Sequence, residues 1–336
     1  MIEELSYQDV YIKDSIPQVN SRQEVKLTSN YSFPYSKKVL ELNPALFIAN
    51  MDGVGVFPVH NIMKKYCGVT VLRKHYSVEE IVEGFQEEDD FKYAWVSTGL
   101  RKGDKDKMRE LEKVFGDRIN ICLDSPACTP KFFDRLHWLR DHFPNSVICA
   151  GNTSNKELVV KIGDAGADII KCGIAGGGVC DTRKCTGVYQ GMFTRMSEIK
   201  NYYNKAKFGF YKTKSYIMAD GGIKECGDFN KALGVADFVM AGSYWAGVKE
   251  CVGEWRGKNK TSEFKFYGMA SNEAQKYYDK QDYRANEGKE VWIDYKGPLE
   301  DLIKETRGGQ ASCATFIGCD NIRDFNENLL FVKVKR

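Results

Sequence analysis

Eight short runs of apolar and β-branched residues, separated by stretches that suit a helix, constrain this chain more than any other feature. The runs are Leu46 to Met51, Gly68 to Arg73, Tyr93 to Gly99, Ile119 to Asp124, Ser146 to Gly151, Asp168 to Ile174, Ser215 to Gly222 and Asp237 to Gly242. Most of them start 22 to 27 residues apart, enough for a strand, a loop, a helix and a return loop. Eight such units close a parallel barrel, so the expected fold class is α/β, a (β/α)8 TIM barrel running as a single domain over residues 1–336.

Two intervals break the rhythm. The sixth and seventh runs start 47 residues apart. After the eighth, about 55 residues precede the last expected helix, Leu299 to Arg307. Insertions at the carboxyl ends of barrel strands are where such folds build active sites and lids, so a loop after strand six and a lid after strand eight are expected. The same ends carry Asp52, Lys74-His75, Thr98-Gly99, Asp124, Gly151-Asn152, Asp220-Gly221-Gly222 and Gly242-Ser243. Parallel strands all finish on one face, so these residues share a rim.

Charge excludes some partners. Lysine and arginine number 49 against 46 acidic residues, a net charge of +3, which leaves no basic footprint for nucleic acid or an anionic membrane. The amino terminus MIEELSYQDVYIKDS is polar and acidic, and no apolar run approaches the length of a membrane span. Eleven cysteines, an odd number scattered through strands and loops, read as reduced thiols of a cytoplasmic protein. With His60, His75, His137 and His142 and no CxxC pair, the ligand spacing of a zinc site is missing.

The chemistry concentrates after strand six, in Lys171-Cys-Gly-Ile-Ala-Gly-Gly-Gly-Val-Cys-Asp-Thr182. Gly176 to Gly178 let backbone groups approach a ligand closely, and Cys180 directly after them is placed to act as a nucleophile through its thiolate. Cys172, inside the strand, reads as a packed thiol. Lys171 also lies inside the strand, where it packs or pairs, which disfavours Schiff-base chemistry on it or on Lys74. Thr182 and, far downstream, Glu287 in Tyr283-Arg-Ala-Asn-Glu-Gly288 form a proton-handling pair if a lid brings them together. The loops Ala219-Asp-Gly-Gly222 and Ala241-Gly-Ser243 occupy the usual phosphate position of a barrel, with Asp220 placed to accept hydrogen bonds from ribose hydroxyls.

Several of these segments resemble one family. Ser21-Arg-Gln-Glu-Val25, Ile48-Ala-Asn-Met-Asp52, Lys74-His-Tyr-Ser77, Ala150-Gly-Asn152, Ala167-Asp-Ile-Ile-Lys171, Gly178-Val-Cys-Asp-Thr-Arg-Lys184, Ala236-Asp-Phe-Val-Met240, Phe266-Tyr-Gly-Met269, Tyr283 to Lys289 and Ser312-Cys-Ala-Thr-Phe-Ile-Gly318 are similar to motifs of the inosine monophosphate dehydrogenase and guanosine monophosphate reductase family. No CBS regulatory insertion follows strand two, and the short Tyr-Arg-Ala-x-Glu-Gly-Lys segment resembles the reductase branch. The resemblance implies that Cys180 attacks C2 of a purine nucleotide, that ammonia leaves with help from Thr182 and Glu287, and that NADPH delivers hydride. It places Lys74, Thr98, Gly99 and Asp124 at the cofactor, with Lys74 also catalytic. It places Gly178, Asp220, Gly221, Gly222, Gly242, Ser243, Met269, Ala270, Arg284 and Gly288 at the substrate. It further implies a homotetramer, and a monovalent cation such as K+ on the backbone carbonyls of Ala175, Gly177 and Cys180.

The chain also departs from the family pattern. Ala175-Gly-Gly-Gly178-Val-Cys180 stands where Gly-x-Gly-Ser-[Ile/Val]-Cys is usual, so a cation-site glycine is alanine and a phosphate-contacting hydroxyl is gone. Losing that hydroxyl weakens phosphate binding by roughly 1 to 3 kcal/mol, about one to two decades. Ala270 and Asn286 replace serines, Asp181 replaces a threonine, and Val188-Tyr-Gln190 is shorter than the family's segment. These changes bear on substrate identity and leave open a deoxynucleotide or modified purine nucleotide, oxidation of inosine monophosphate, and nucleotide binding without turnover.

Overall fold

The computed structural model describes residues 3–174, 176–179, 182–207, 214–257, 262–269, 271 and 288–334, without the side chain of Asn328. Eight parallel strands close a barrel: β1 (Phe47–Ile48), β2 (Val69–Leu72), β3 (Ala94–Thr98), β4 (Asn120–Asp124), β5 (Ile148–Thr153), β6 (Ile169–Cys172), β7 (Tyr216–Asp220) and β8 (Phe238–Ala241). Each expected run holds one of them, except that β5 continues two residues past the expected end at Gly151. Closure is made where β8 pairs with β1, Met240 opposite Phe47 and Ala241 opposite Ile48.

The alternation of side chains along each strand sorts the barrel into an inside and an outside. Phe47, Val69, Val71, Trp95, Cys122, Cys149, Ile169, Met218, Phe238 and Met240 fill the interior. The bottom is closed by a hairpin of Ser29–Ser32 against Val39–Leu42, whose Tyr31, Phe33, Leu40 and Leu42 join that cluster. Continuing the alternation by two residues toward the carboxyl ends gives Asp124 after Cys122, Gly151 after Cys149, Lys171 after Ile169 and Asp220 after Met218. The topmost inward layer is therefore polar.

Both long intervals are insertions at that end. Between β6 and β7 lie the short helix Thr182–Thr186 and the helix Met192–Lys207. After β8 an antiparallel sheet of Trp255–Arg256, Glu263–Tyr267 and Glu290–Asp294 precedes the last long helix. That helix runs Leu299–Ile317, ten residues past the expected end at Arg307. Gly308-Gly309 reads locally as a stop, but Gly309 is where this helix closes on Cys226 of the helix Cys226–Leu233, so close that a Cβ there would overlap the thiol. The real stop is Gly318, in the left-handed region at φ +70°. The final strand Leu330–Lys333 pairs with Val10–Lys13 near the amino terminus.

All ten described cysteines are free thiols. Among the described residues, no helix is long and apolar enough to cross a membrane.

Candidate active site

The polar layer at the top of the barrel is a chain of paired charges. Lys171 Nζ lies 2.6 Å from Asp124 Oδ1 and 3.2 Å from Asp220 Oδ2. On its other side Asp124 receives Lys74, whose Nζ is 2.8 Å from Oδ2 and donates at 2.8 Å to the Asp124 carbonyl. Asn152 Nδ2 donates to Asp220 Oδ2 at 2.7 Å and to the Gly173 carbonyl at 3.1 Å. Burial opposes the charge on Asp124, yet the ammonium groups of Lys171 and Lys74 overcome it and hold this carboxyl far below the usual carboxylate range. The same pairing, against burial, keeps Lys171 protonated well above the lysine range.

Gly151 shows how closely this layer is built. A Cβ there would overlap the Lys171 carbonyl oxygen, so only glycine lets β5 and β6 pack with Lys171 turned inward.

The residues expected at the cofactor come together. Lys74, Asp124 and Gly99 share one side of the rim, since a Cβ on Gly99 would stand 3.7 Å from Lys74 Nζ. Thr98 Oγ1 donates to the Asp104 carbonyl at 3.5 Å. Arg135, from the helix Pro130–His142, donates to the carbonyls of Gly99 at 2.6 Å and Arg101 at 3.1 Å, fixing the loop after β3 from behind. Lys107, on the helix Lys102–Phe115, donates to the carbonyls of Lys74 at 2.8 Å and Tyr76 at 3.4 Å. Burial pushes its ammonium down to about 8. Neither Arg135 nor Lys107 carries a local sequence signal, because each acts on backbone of another βα unit.

Several of the expected substrate residues also meet. The loop Gly176 to Val179 lies on the turn after β7 and on Ser243. A Cβ on Gly221 would stand 3.3 Å from Gly177 N, and one on Gly178 would stand 3.2 Å from Ser243 Oγ. Gly221 and Gly222 have φ of +95° and +83°, which a side chain would strain, and the turn is tied down by Gly221 N donating to the Met240 carbonyl at 3.1 Å. Gly242 continues directly from β8.

Cys180, Arg284, Glu287, Ala270 and Ala175 lie outside the described residues; their neighbours do not. Lys289 N donates to the Val179 carbonyl at 3.1 Å, and Gly268 N donates to the Lys289 carbonyl at 3.2 Å. A Cβ on Gly268 would stand 2.7 Å from Val179 O and 3.0 Å from Gly288 Cα. The residue before Cys180, the segment leading to Met269, and Gly288 after Glu287 are thus stitched backbone to backbone. Thr182 opens the helix that follows Cys180. Gly177, expected to offer a carbonyl to a cation, lies in this same loop.

One buried pair at the rim was seen only as strand-end residues. Asp52 Oδ1 faces His75 Nε2 at 3.4 Å. Burial lifts the Asp52 carboxyl to about 6 and, together with Arg73 and Lys107, depresses His75 to about 4.

A cavity of about 480 Å³ opens over the loops after β4 and β5 and is walled by Pro126, Ala127, Cys128, Asn152 and Ile174; none of Lys74, Thr98, Gly99 and Asp124 lines it. The larger cavity, about 770 Å³, lies between the helices Phe57–Met63 and Val78–Gly84, outside the barrel wall. Of its charged residues, Lys64 is paired with Asp90 at 2.7 Å and with Glu87.

A closed parallel barrel with paired cations and carboxylates, glycine turns and a loop insertion converging on its carboxyl-terminal rim defines a barrel enzyme acting on a small polar substrate. Comparison with known proteins narrows this. The family described as IMP dehydrogenase / GMP reductase domain matches residues 4–336. The GMP reductase of Ascaris suum is 34% identical over 98% of this chain and 93% of its own length. GMP reductase 2 of Homo sapiens is 34% identical over 98% of this chain and 94% of its own. The GMP reductase of Photobacterium profundum is 33% identical over 98% and 95%. The chain belongs to the IMP dehydrogenase / GMP reductase family, and it is an oxidoreductase.

Proposed function

We propose that this protein reductively deaminates GMP to IMP and ammonia, with NADPH as the reductant and Cys180 as a transient nucleophile. The observation that carries this reading is the pair of backbone hydrogen bonds from Lys289 to Val179 and from Gly268 to Lys289, which draws the neighbours of Cys180, Met269 and Glu287 to one place.

In the proposed reaction the Cys180 thiolate adds to C2 of the guanine, forming a C–S bond. Thr182 and Glu287 move a proton onto the exocyclic nitrogen, the C2–N bond breaks and ammonia departs, leaving a thioimidate. Bound NADPH supplies a hydride to C2, after which the C–S bond breaks and the thiolate is restored. One hydride and one proton thus replace the amino group by hydrogen.

Lys74, Thr98, Gly99 and Asp124 hold the cofactor, and the fixed charge of Lys74 is kept in place by Asp124. Asp220, Gly221, Gly222, Gly242, Ser243 and Gly178 hold the ribose phosphate, and Met269, Ala270, Arg284 and Gly288 the base. A homotetramer working in the cytoplasm, with K+ on the carbonyls of Ala175, Gly177 and Cys180, belongs to the same reading. Gly178 in place of serine favours including dGMP among the substrates tested.

Purified protein given GMP and NADPH should lose the near-ultraviolet absorbance of NADPH, and Cys180→Ala should abolish that loss. No turnover with either GMP or dGMP overturns the reading. NADH formed from IMP and NAD would make the protein a dehydrogenase instead, and thermal stabilisation by nucleotide without any product would make it a binding protein.

A further inference from the structure

The segment Glu4 to Gln8 belongs to no barrel strand, yet three successive residues of it are tied to the insertion that follows β6. Glu4 Oε2 accepts from Gly191 N at 2.9 Å, and its Oε1 is 3.1 Å from Arg195 Nη2. Leu5 and Thr194 are joined twice, Leu5 N donating to Thr194 Oγ1 at 2.8 Å and Thr194 N to the Leu5 carbonyl at 3.1 Å. Ser6 Oγ lies 3.2 Å from the Tyr189 hydroxyl. The fit is tight, since a Cβ on Gly191 would stand 2.6 Å from both the N and the O of Leu5. Gln190 and Arg195, on either side of this contact, line the cavity over the loops after β4 and β5.

The residue held by this clamp is Met192, whose buried side chain is wedged among three glycines of the site. A Cβ on Gly176 would stand 2.8 Å from its Sδ, one on Gly222 3.1 Å from its Cγ and one on Gly173 3.1 Å from its Cε. Glycines carry no side chain to fix their own conformation, so a loop with Gly176 to Gly178 takes its geometry from what packs against it. Met192 thus supports both the loop leading to Cys180 and the turn after β7. The segment also reaches that turn directly. A Cβ on Gly222 would stand 3.3 Å from the Tyr7 ring, and Gln8 Nε2 donates to the Gly222 carbonyl at 3.3 Å and to Asp228 Oδ2 at 2.6 Å. Asp228 is itself fixed at the head of the helix Cys226–Leu233, accepting from Lys224 N at 3.0 Å and Glu225 N at 3.1 Å.

We infer that Glu4 and Gln8 are positioning residues of the active site. Glu4, through Gly191 and Met192, sets the loop that carries Cys180, and Gln8, through Gly222, sets the turn that receives the phosphate. The inference rests on the reading of the protein as a purine nucleotide reductase with Cys180 as nucleophile. The two residues then differ in kinetic signature. Loosening the phosphate turn weakens substrate and transition state alike, which raises KM and leaves kcat, whereas displacing the nucleophile from the bound base lowers kcat. The expected cofactor residues Lys74, Thr98, Gly99 and Asp124 stand on other loops, so NADPH binding depends on neither.

The test is steady-state turnover of GMP at saturating NADPH, paired with calorimetric titration of NADPH alone. Gln8→Met, which keeps the volume and removes the donor, should raise KM for GMP about tenfold, one hydrogen bond's worth, at unchanged kcat. Gln8→Lys, which keeps a donor, should hold KM near the wild-type value. Glu4→Ala should lower kcat on the order of tenfold at unchanged KM, and Glu4→Gln, which keeps an acceptor for Gly191 N–H, should recover part of it. Every variant should bind NADPH with wild-type affinity and number of sites. A folded Gln8→Met protein with wild-type KM, or a Glu4→Ala protein with wild-type kcat, overturns this inference alone. So does a loss of NADPH sites that matches the loss of kcat, which would make the segment a support of the fold only. Failure of the wild type to turn over GMP or dGMP overturns the reductase reading, and the inference with it.

Discussion

Lys171 and Asp124, from strands β6 and β4, meet across the inside of the barrel with ammonium and carboxylate 2.6 Å apart. The lysine is 2% exposed and touches Asp220 as well, so one buried cation stands between the carboxylate facing the expected cofactor and the carboxylate facing the expected ribose. Both ends of the site therefore depend on a residue that touches neither ligand in the proposed reaction.

Lys171→Met should be severely destabilising. It keeps most of the side-chain volume but leaves Asp220 without its cation and Asp124 with Lys74 alone. Breaking a buried pair by removing one partner costs about 3 to 5 kcal/mol. Urea unfolding should register that loss, and Asp124→Asn, which removes the partner charge, should restore part of it in the double variant. A single variant within about 1 kcal/mol of wild type would show that the pairing contributes nothing net.

Asp52 and His75 should give the stability of the fold two opposed pH slopes. The Asp52 carboxyl is raised from 3.8 to about 6, so the folded state keeps a proton that the unfolded chain has released. Its contribution is fully present below 3.8 and is lost as pH rises through about 6. His75 is lowered from 6.5 to about 4, so its contribution is present above 6.5 and is lost as pH falls through about 4. The two act in opposite directions, and over most of that window they cancel. Asp52→Asn should unmask the histidine, making stability rise with pH more steeply than in wild type. His75→Gln should do the reverse. The check is unfolding free energy against pH; parallel curves for all three proteins would rule the pair out.

The barrel was legible because each strand is a local object, a run of apolar residues ended by a polar turn. Its rim was legible for the same reason. Helix and strand ends were not. β1 shrinks to Phe47–Ile48 because the backbone turns at once, Met51 N donating to the Ala49 carbonyl at 2.8 Å. The last helix outruns Arg307 because packing on Cys226 uses Gly309, one of the two glycines that read as a stop. Within the site, Lys171 could have been found from its alternation with Ile169, which turns it inward, but its partners stand on β4 and β7. Lys107 and Arg135 bond to backbone of other units, and no spacing rule reports that. The short Val188-Tyr-Gln190 segment was visible as a departure, whereas the cavity that Gln190 lines was not.

Gly268 should be essential to turnover and nearly irrelevant to stability. It lies just past the strand Glu263–Tyr267, in the insertion and not in the barrel wall, so a methyl group there disturbs little of the core. That methyl would nevertheless stand 2.7 Å from the Val179 carbonyl and 3.0 Å from Gly288 Cα, both backbone, and neither can rotate away. The cysteine loop and the start of the lid strand must then separate, straining the hydrogen bond from Lys289 to Val179. A displacement of about 1 Å between reacting groups costs on the order of a hundredfold in rate. Gly268→Ala should therefore melt within a few degrees of wild type while its turnover of GMP falls by about that factor. If it turns over GMP at the wild-type rate, the contact between these three segments does not position the proposed nucleophile.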